Sequence, residues 1–256
     1  MKKQISLGRR RFLTRAVQLS GFFLFAGCDN LSRSPRFEDF LSSAEGLTRR
    51  VQRLITPRKA MAREYTEADL SPVFPVNGST NPGTDEYLAL AGNHFADWHL
   101  EVGGRVEQPA RFSLAELRKL PSRTQITRHD CVEGWSAIGK WKGVPLSRIL
   151  DQVRPRPEAR YVVFHSADPD ELGQYYYESI DFEDAYHPQT LLAYDLNDKP
   201  LPIGNGAPLR LRLERQLGYK MAKYVMRIEV VDRLDTIAGG KGGYWEDQGY
   251  EWYAGI

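Results

Sequence analysis

The chain is expected to fold as an α+β domain with mixed β-sheets and short helices. Runs of alternating apolar and polar residues recur along it, as in Leu209-Arg-Leu-Arg-Leu. Short helical patterns fall between those runs, one of them with its own cap. The 256 residues, 41% hydrophobic and 27% charged, suffice for one substantial core. A net charge of +2 gives no global argument for nucleic acid as a partner.

Residues 1–28 read as an export signal. Lys2, Lys3, Arg9, Arg10, Arg11 and Arg15 precede any acidic residue, and an apolar stretch runs from Ala16 to Ala26. That stretch is too short to span a bilayer, which takes about 20 apolar residues. Arg9-Arg10-Arg11-Phe12-Leu13 fits the twin-arginine pattern. Phe25-Ala26-Gly27-Cys28 resembles a bacterial lipobox with Phe25 where Leu is usual, so Cys28 is either a lipidated N-terminus or lost by simple cleavage. The bland alternative is a basic amphipathic start to a cytosolic protein. Residues 29–70 form a polar lead-in, with loosely helical spacing over Phe37 to Leu54. Residues 71–256 are assigned to the main domain.

Prolines 57, 72, 75 and 82 make residues 55–85 an extended segment wrapping that domain. His99-Leu-Glu-Val-Gly-Gly-Arg-Val predicts a strand pair around Gly103-Gly104. Ser113 and Glu116 form a capping box for a short helix that ends before Pro121. Gln125 to Cys131 reads as a strand, and Gly143-Val-Pro-Leu-Ser-Arg-Ile-Leu opens a helix with Pro145 in its first turn. Tyr161-Val-Val-Phe-His-Ser and Tyr175-Tyr-Tyr-Glu-Ser-Ile are strands, Thr190 to Asp195 is strand or helix, and Val225-Met-Arg-Ile-Glu-Val-Val is a strand. The glycine-rich aromatic stretch from Gly239 to Ile256 either packs as a tail or lines an entrance.

Cys131 is the one cysteine left once the export segment is set aside, so it has no disulfide partner. It is an inert core residue, a nucleophile or a metal ligand. Arg128, His129, Asp130 and Glu133 surround it in sequence, and a thiolate beside cations suits the last two roles. A Cys–His pair through His129 or His165 lacks a known spacing.

Arg128-His-Asp-Cys131-Val-Glu-Gly-Trp135, with Trp141-Lys-Gly-Val-Pro-Leu-Ser-Arg-Ile-Leu150, resembles the molybdopterin-binding oxidoreductase domain of the sulfite oxidase superfamily. Ala185-Tyr-His-Pro-Gln-Thr-Leu-Leu192, Asn205-Gly-Ala-Pro-Leu-Arg210 and Lys220-Met-Ala-Lys223 follow in the family's order. The likeness covers roughly residues 70 to 235. It implies a sulfite oxidase-type molybdopterin-binding fold, with Cys131 as the thiolate ligand of molybdenum. Cys-Val-Glu-Gly-Trp is nearest the branch of exported bacterial protein-methionine-sulfoxide reductases, whereas sulfite oxidases carry Cys-Ala-Gly-Asn-Arg.

By the same resemblance, Arg210, Lys223, the backbone of Met221 and Ala222, Asn205 and Ser166 (where the family has Thr) hold the cofactor. Asn77, Thr80 and Asn81 match the family's upstream contact loop only by spacing. The ordinary alternatives are a salt-bridged strand arginine, a solvated lysine and a turn asparagine. Arg128, His129, Asp130 and Glu133 are candidates to surround the metal, although alternation on a strand lets only some face it. The implied activity is reduction of an S- or N-oxide in a small molecule or in a protein. The electrons then come from a membrane haem protein, since the chain has no Cys-x-x-Cys-His for a covalent haem. The family's further dimerisation domain is not expected after the cofactor domain. Oxidation of a small anion such as sulfite, and a cofactor-free binding protein with the same fold, are the competing readings.

Overall fold

Two sheets carry the architecture. In the computed structural model, which describes residues 46–54 and 56–256, the first sheet is built from β1 (His99–Gly104), β2 (Ala110–Ser113), β5 (Tyr161–Pro169), β6 (Tyr175–Asp181) and β10 (Val225–Val231). Its order is β2-β1-β10-β5-β6, with β1 and β10 parallel and the other neighbours antiparallel, so the sheet is mixed. The second sheet is antiparallel throughout. It comprises β3 (Arg123–Asp130), β4 (Ser136–Pro145), β7 (Leu191–Leu196) and β8 (Lys199–Pro200) in that order, with β9 (Arg210–Arg212) also on β7.

Among the described residues from Thr56 onward, five α-helices accompany these strands: α1 (Asp85–Gly92) before β1, then α2 (Leu114–Lys119), α3 (Leu146–Val153), α4 (Phe182–Ala185) and α5 (Tyr244–Asp247). One cluster of buried side chains unites both sheets, among them Leu100, Val144, Phe164, Leu192, Leu211 and Ile228. Helix α3 adds Leu146, Ile149, Leu150 and Val153, the i, i+3, i+4, i+7 stripe of an amphipathic helix. The α+β class is therefore as the sequence predicts.

Residues 1–55 and Thr56–Ile256 are separate units. In the first, residues 46–54 are helical, and the rest of the expected Phe37–Leu54 helix lies outside the described residues, as does the export signal. Residues 56–70 of the lead-in are part of the second unit.

The Ser113–Glu116 box forms as expected: Glu116 N donates to Ser113 Oγ at 3.2 Å and Ser113 N to Glu116 Oε2 at 2.8 Å. Two expectations are corrected. Gly103–Gly104 is the end of one strand, not the turn of a pair, and the antiparallel partner β2 starts only at Ala110. Gly104 has φ +86°, and a Cβ there would strike the Val230 backbone, so the strand ends against β10. Gly143 to Pro145 belong to β4, and the helix begins at Leu146. The stretch Thr190 to Asp195 resolves as strand, β7 starting one residue later at Leu191 and running to Leu196.

The wrapping segment runs over the second sheet. Tyr65 N donates to Ile126 O at 2.8 Å and Ser71 N to Ile138 O at 3.1 Å. Gln189 clamps it from below: its Oε1 accepts from Ala62 N at 2.7 Å and its Nε2 donates to Ala62 O at 3.0 Å. His187 Nε2 meets the Ala60 carbonyl at 3.0 Å. The Ala185–Leu192 motif thus anchors the lead-in as well as starting β7.

Gly143 lets β7 approach β4, because a Cβ there would overlap the Leu192 carbonyl. Gly143→Ala is expected to destabilise the fold by about 1–3 kcal/mol through overpacking, read as a lower urea midpoint with an unchanged slope.

Candidate active site

Cys131 is the first residue past β3, at the start of the five-residue loop that joins β3 to β4. The loop closes on the cysteine itself. Cys131 N donates to Trp135 O at 3.0 Å, and Gly134 N, with φ +87°, donates to Cys131 O at 3.1 Å. Strand alternation puts His129 and Cys131 on the buried side and Arg128 on the exposed side, where it pairs with Asp130 at 3.0 Å.

His129 is a packed support. Arg212 Nη1 lies 2.9 Å from its Nδ1, and Phe74 and Trp135 pack on the ring at centroid distances of 5.7 and 5.3 Å. Burial, then Arg210 and Arg212, drive its pKa well below the usual range, so the ring is neutral and Nδ1 accepts from the guanidinium. Gly218 leaves room for that ring; a Cβ there would overlap its Nε2. His165 is engaged with Glu229 at 3.0 Å and Arg227 at 3.1 Å. No histidine is among the described residues lining the cleft at Cys131, so the Cys–His nucleophile finds no support there.

That cleft has a volume of about 370 Å³. Asn77, Ser79, Glu133, Asp168 and Lys223 supply polar lining; Tyr176, Tyr219, Tyr244, Trp245 and Tyr250 supply aromatic lining; Met221 also borders it. Glu133 ties two loops together, since Gly78 N and Trp135 Nε1 donate to its carboxylate at 3.1 and 2.9 Å. Burial, and next the Glu133 carboxylate, raise the Cys131 thiol above its ordinary pKa, while the Glu133 N–H and Arg210 oppose them. A bound metal cation would reverse that balance and hold the thiolate.

The cations are of two kinds. Arg212 is fully buried and bidentate to Glu214, at 3.0 and 2.7 Å. Arg210, equally buried, has no carboxylate partner among the described residues. It donates to Asn205 O at 3.2 Å and to Asn77 Oδ1 at 3.1 Å, and its Nε is unpartnered. Burial, then Arg212, lowers its pKa to about 9. Lys223 likewise donates only to uncharged oxygens: the carbonyls of Asn77 at 2.7 Å, Gly204 at 3.0 Å and Ser79, and the Tyr224 hydroxyl at 3.4 Å. Its pKa falls to about 7, chiefly by burial and then by Arg210. Two buried cations thus meet at Asn77 with no carboxylate hydrogen-bonded to either, although Asp168 and Glu133 act on Lys223 from across the cleft.

Of the residues singled out by sequence, Cys131, Asn77, Met221 and Lys223 line the cleft, and Arg210 and Asn205 stand behind Asn77 and one another. Ser166 is buried with an unpartnered Oγ, and Ala222 is buried with its carbonyl accepting from Leu211 N at 2.8 Å. Thr80 and Asn81 are exposed and do not line the cleft; Asn81 Oδ1 instead accepts from Gly83 N at 3.0 Å in a local turn. Ser79 takes the place in the cleft and donates to Asp168 Oδ2 at 2.6 Å. Neither Ser79 nor Asp168 was anticipated, although Asp168 stands two residues beyond Ser166 on β5. Burial lifts the Asp168 pKa to about 6, and its Oδ1 is unpartnered.

Residues 89–236 match the family described as oxidoreductase molybdopterin binding domain. A protein of Azospira oryzae, provisionally named protein-methionine-sulfoxide reductase subunit YedZ1, is 38% identical over 247 residues, 96% of this chain and 87% of that one. The protein-methionine-sulfoxide reductase catalytic subunit MsrP of Xanthomonas axonopodis pv. citri is 36% identical over 72% of this chain and 62% of its own. The MsrP of Ralstonia nicotianae is 37% identical over 69% and 57%, respectively. The chain thus spans less than two thirds of these two MsrP proteins. Among solved structures, the sulfane dehydrogenase SoxCD from Paracoccus pantotrophus aligns at a TM-score of 0.49 and 24% identity, covering 54% of this chain and 39% of that one.

A lysine ordinarily titrates at 10.5, and folded Lys223 at about 7. Between those values the unfolded chain binds the extra proton, so this group's effect on stability improves as pH rises through the window and is least favourable below pH 7. For cofactor-free protein, the melting temperature of wild type relative to Lys223→Met is expected to climb from pH 7 to 10. Inorganic phosphate at pH 7 is expected to raise the wild-type value more than that of the variant. A difference that ignores both pH and phosphate contradicts the assignment.

Proposed function

Because the chain belongs to the oxidoreductase molybdopterin-binding domain family, we propose that it is an exported, molybdenum-dependent reductase of S- or N-oxides, with methionine sulfoxide as the type of substrate. The observation that carries this reading is the division of the cleft. Lys223 borders it, with Arg210 behind Asn77 and neither hydrogen-bonded to a carboxylate; aromatic rings also border it, and Cys131 opens onto the same space.

The residues fit an anionic pterin. Arg210 and Lys223 would hold its phosphate, and Asn77 and Asn205 offer amides. The unpartnered Ser166 Oγ and Arg210 Nε are buried polar atoms that such a ligand would satisfy. Cys131 would bind the metal through its thiolate. When bound, the cofactor supplies two-electron oxygen-atom transfer. The protein's residues position and protect that chemistry. Glu133 braces the Gly78 loop against the cysteine hairpin, and the tyrosine and tryptophan rings give the cleft an apolar lining. Reduction breaks the S–O bond and consumes two electrons and two protons, giving a thioether and water. Asp168, with its pKa at about 6, holds a proton in part of the molecules near neutral pH.

The cleft disfavours the sulfite alternative. Among the described residues, Lys223 is the only lysine or arginine lining it, while Glu133, Asp168 and Asp170 also line it. Once the cofactor engages Lys223, a small anion meets carboxylates, whereas a neutral S-oxide meets rings. The electrons would come from outside the chain. The MsrP relatives are named catalytic subunits, which supports a partner subunit as donor, and the donor proposed is a membrane haem protein. Export by the twin-arginine route rests on Arg9 to Leu13 and on the apolar stretch after them.

Protein from a cofactor-competent host is expected to contain molybdenum and to reduce sulfoxides with an artificial donor. Cys131→Ala should lose more than about a hundredfold in turnover, since losing even an outer partner of a metal ligand reaches that scale. Absence of molybdenum, or sulfite oxidation outpacing every oxide reduction, would sink the reading.

A further inference from the structure

Residues 239–256 contain one regular element, the four-residue α5. A single turn of helix is not stable in water by itself. Yet the segment is pinned at many points by buried or half-buried polar groups. Lys220 Nζ donates to Glu246 Oε1 at 2.5 Å and to Glu178 Oε1, and all three side chains are fully buried. Asp247 accepts from Tyr177 Oη at 2.5 Å, and within the segment its exposed bonds from Gly239 N and Lys241 N, each at 3.0 Å, fold the chain around it. Trp252 Nε1 donates to Ser179 Oγ at 2.8 Å, and Ala254 N to Gln216 Oε1 at 3.2 Å.

What these anchors fix is a row of rings. Tyr176 meets Tyr244 at 5.7 Å between centroids, Tyr244 meets Trp245 at 5.3 Å, Trp245 meets Tyr250 at 5.2 Å and Tyr250 meets Tyr219 at 5.2 Å. All five rings line the cleft that contains Cys131. Trp245 and Tyr250 are 38% and 42% exposed, so these rings are left facing water and not spent on the core. Their faces carry negative quadrupole charge and suit polarised C–H groups and soft sulfur.

We propose that the C-terminal segment is the specificity element of the cleft: Tyr244, Trp245 and Tyr250 seat the apolar arm of the S-oxide, and the buried Lys220–Glu246 bridge positions them. The inference rests on the S-oxide reading above. It adds that selection falls on the substituents of the sulfur. A sulfoxide with an aryl or long alkyl arm reaches the rings, and one with two methyl groups does not. Lys220 and Glu246 are positioning residues here, acting through the rings.

The test compares benzyl methyl sulfoxide with dimethyl sulfoxide on the holoenzyme. In Trp245→Ala the ratio of kcat/KM for the benzyl over the dimethyl substrate is expected to fall about tenfold, the scale of one aromatic contact. The change should lie in KM more than in kcat, and Trp245→Phe should restore most of it. Glu246→Gln, which keeps a side chain of the same shape beside Lys220, should shift the ratio in the same direction by less. An unchanged ratio in Trp245→Ala, or an equal loss on both substrates, overturns the proposal. Calorimetric binding of benzyl methyl sulfoxide separates the two layers. If wild type reduces neither sulfoxide, the functional reading fails. The ring proposal is then decided by binding alone: it stands if Trp245→Ala weakens binding and falls if the affinity is unchanged.

Discussion

Positive charge buried without a directly bonded carboxylate is the constraint on which this structure turns. Arg210 and Lys223 converge on Asn77, one on its side-chain oxygen and the other on its backbone carbonyl. Carbonyl dipoles hold them, and dipoles compensate a buried ion only in part. The local backbone serves this arrangement. Gly206, at φ +111°, lies against the Lys223 stem, where a Cβ would come within 2.9 Å of the lysine Cβ. Loop 77–79 is drawn onto the lysine through two of its carbonyls and is held from the other side by Glu133.

The remaining buried cations show that this shortage is local. Arg212 has Glu214, and Lys220 has both Glu178 and Glu246. The chain therefore carries carboxylate-paired and unpaired buried cations side by side on neighbouring segments. Arg210 and Arg212 differ by two positions on one short strand, and Lys220 and Lys223 by three. The paired members fix the framework: Arg212 orients His129 beneath the cysteine strand, and Lys220 docks the C-terminal segment. The other two, Arg210 and Lys223, donate only to uncharged oxygens. Such pairs are costly to disrupt singly, because the surviving partner is left as an isolated buried charge.

Much of this was legible in the residues, and the failures have physical causes. The strand β3 leading to the cysteine, the capped helix α2 and the core strands β5, β6 and β10 announce themselves by pattern. Strand β4 does not, because its inward positions 137, 139, 141 and 143 are Ala, Gly, Trp and Gly, chosen for close approach of Phe74 and β7, which erases the apolar alternation. Helix α1, capped by Thr84, was missed since its eight residues bury only Tyr87. Spacing brought attention to the loop at 77–81 but could not say which side chains turn inward; Ser79 does, and Thr80 and Asn81 do not. The aromatic tail left two readings open because its position depends on Lys220, Ser179 and Tyr177, partners distant in sequence.

The complete burial of Arg210 bears on how its guanidinium is reached. Asn77 Oδ1 sits on it, and no solvent touches it. A group that took over that hydrogen bond would have to displace Asn77, so access to the guanidinium is set by the 77–79 loop. That loop is held from opposite sides, by Glu133 on Gly78 N and by Lys223 on the Asn77 carbonyl. A change at Glu133 or Lys223 would therefore act on Arg210 at a distance, through the local stability of one short loop.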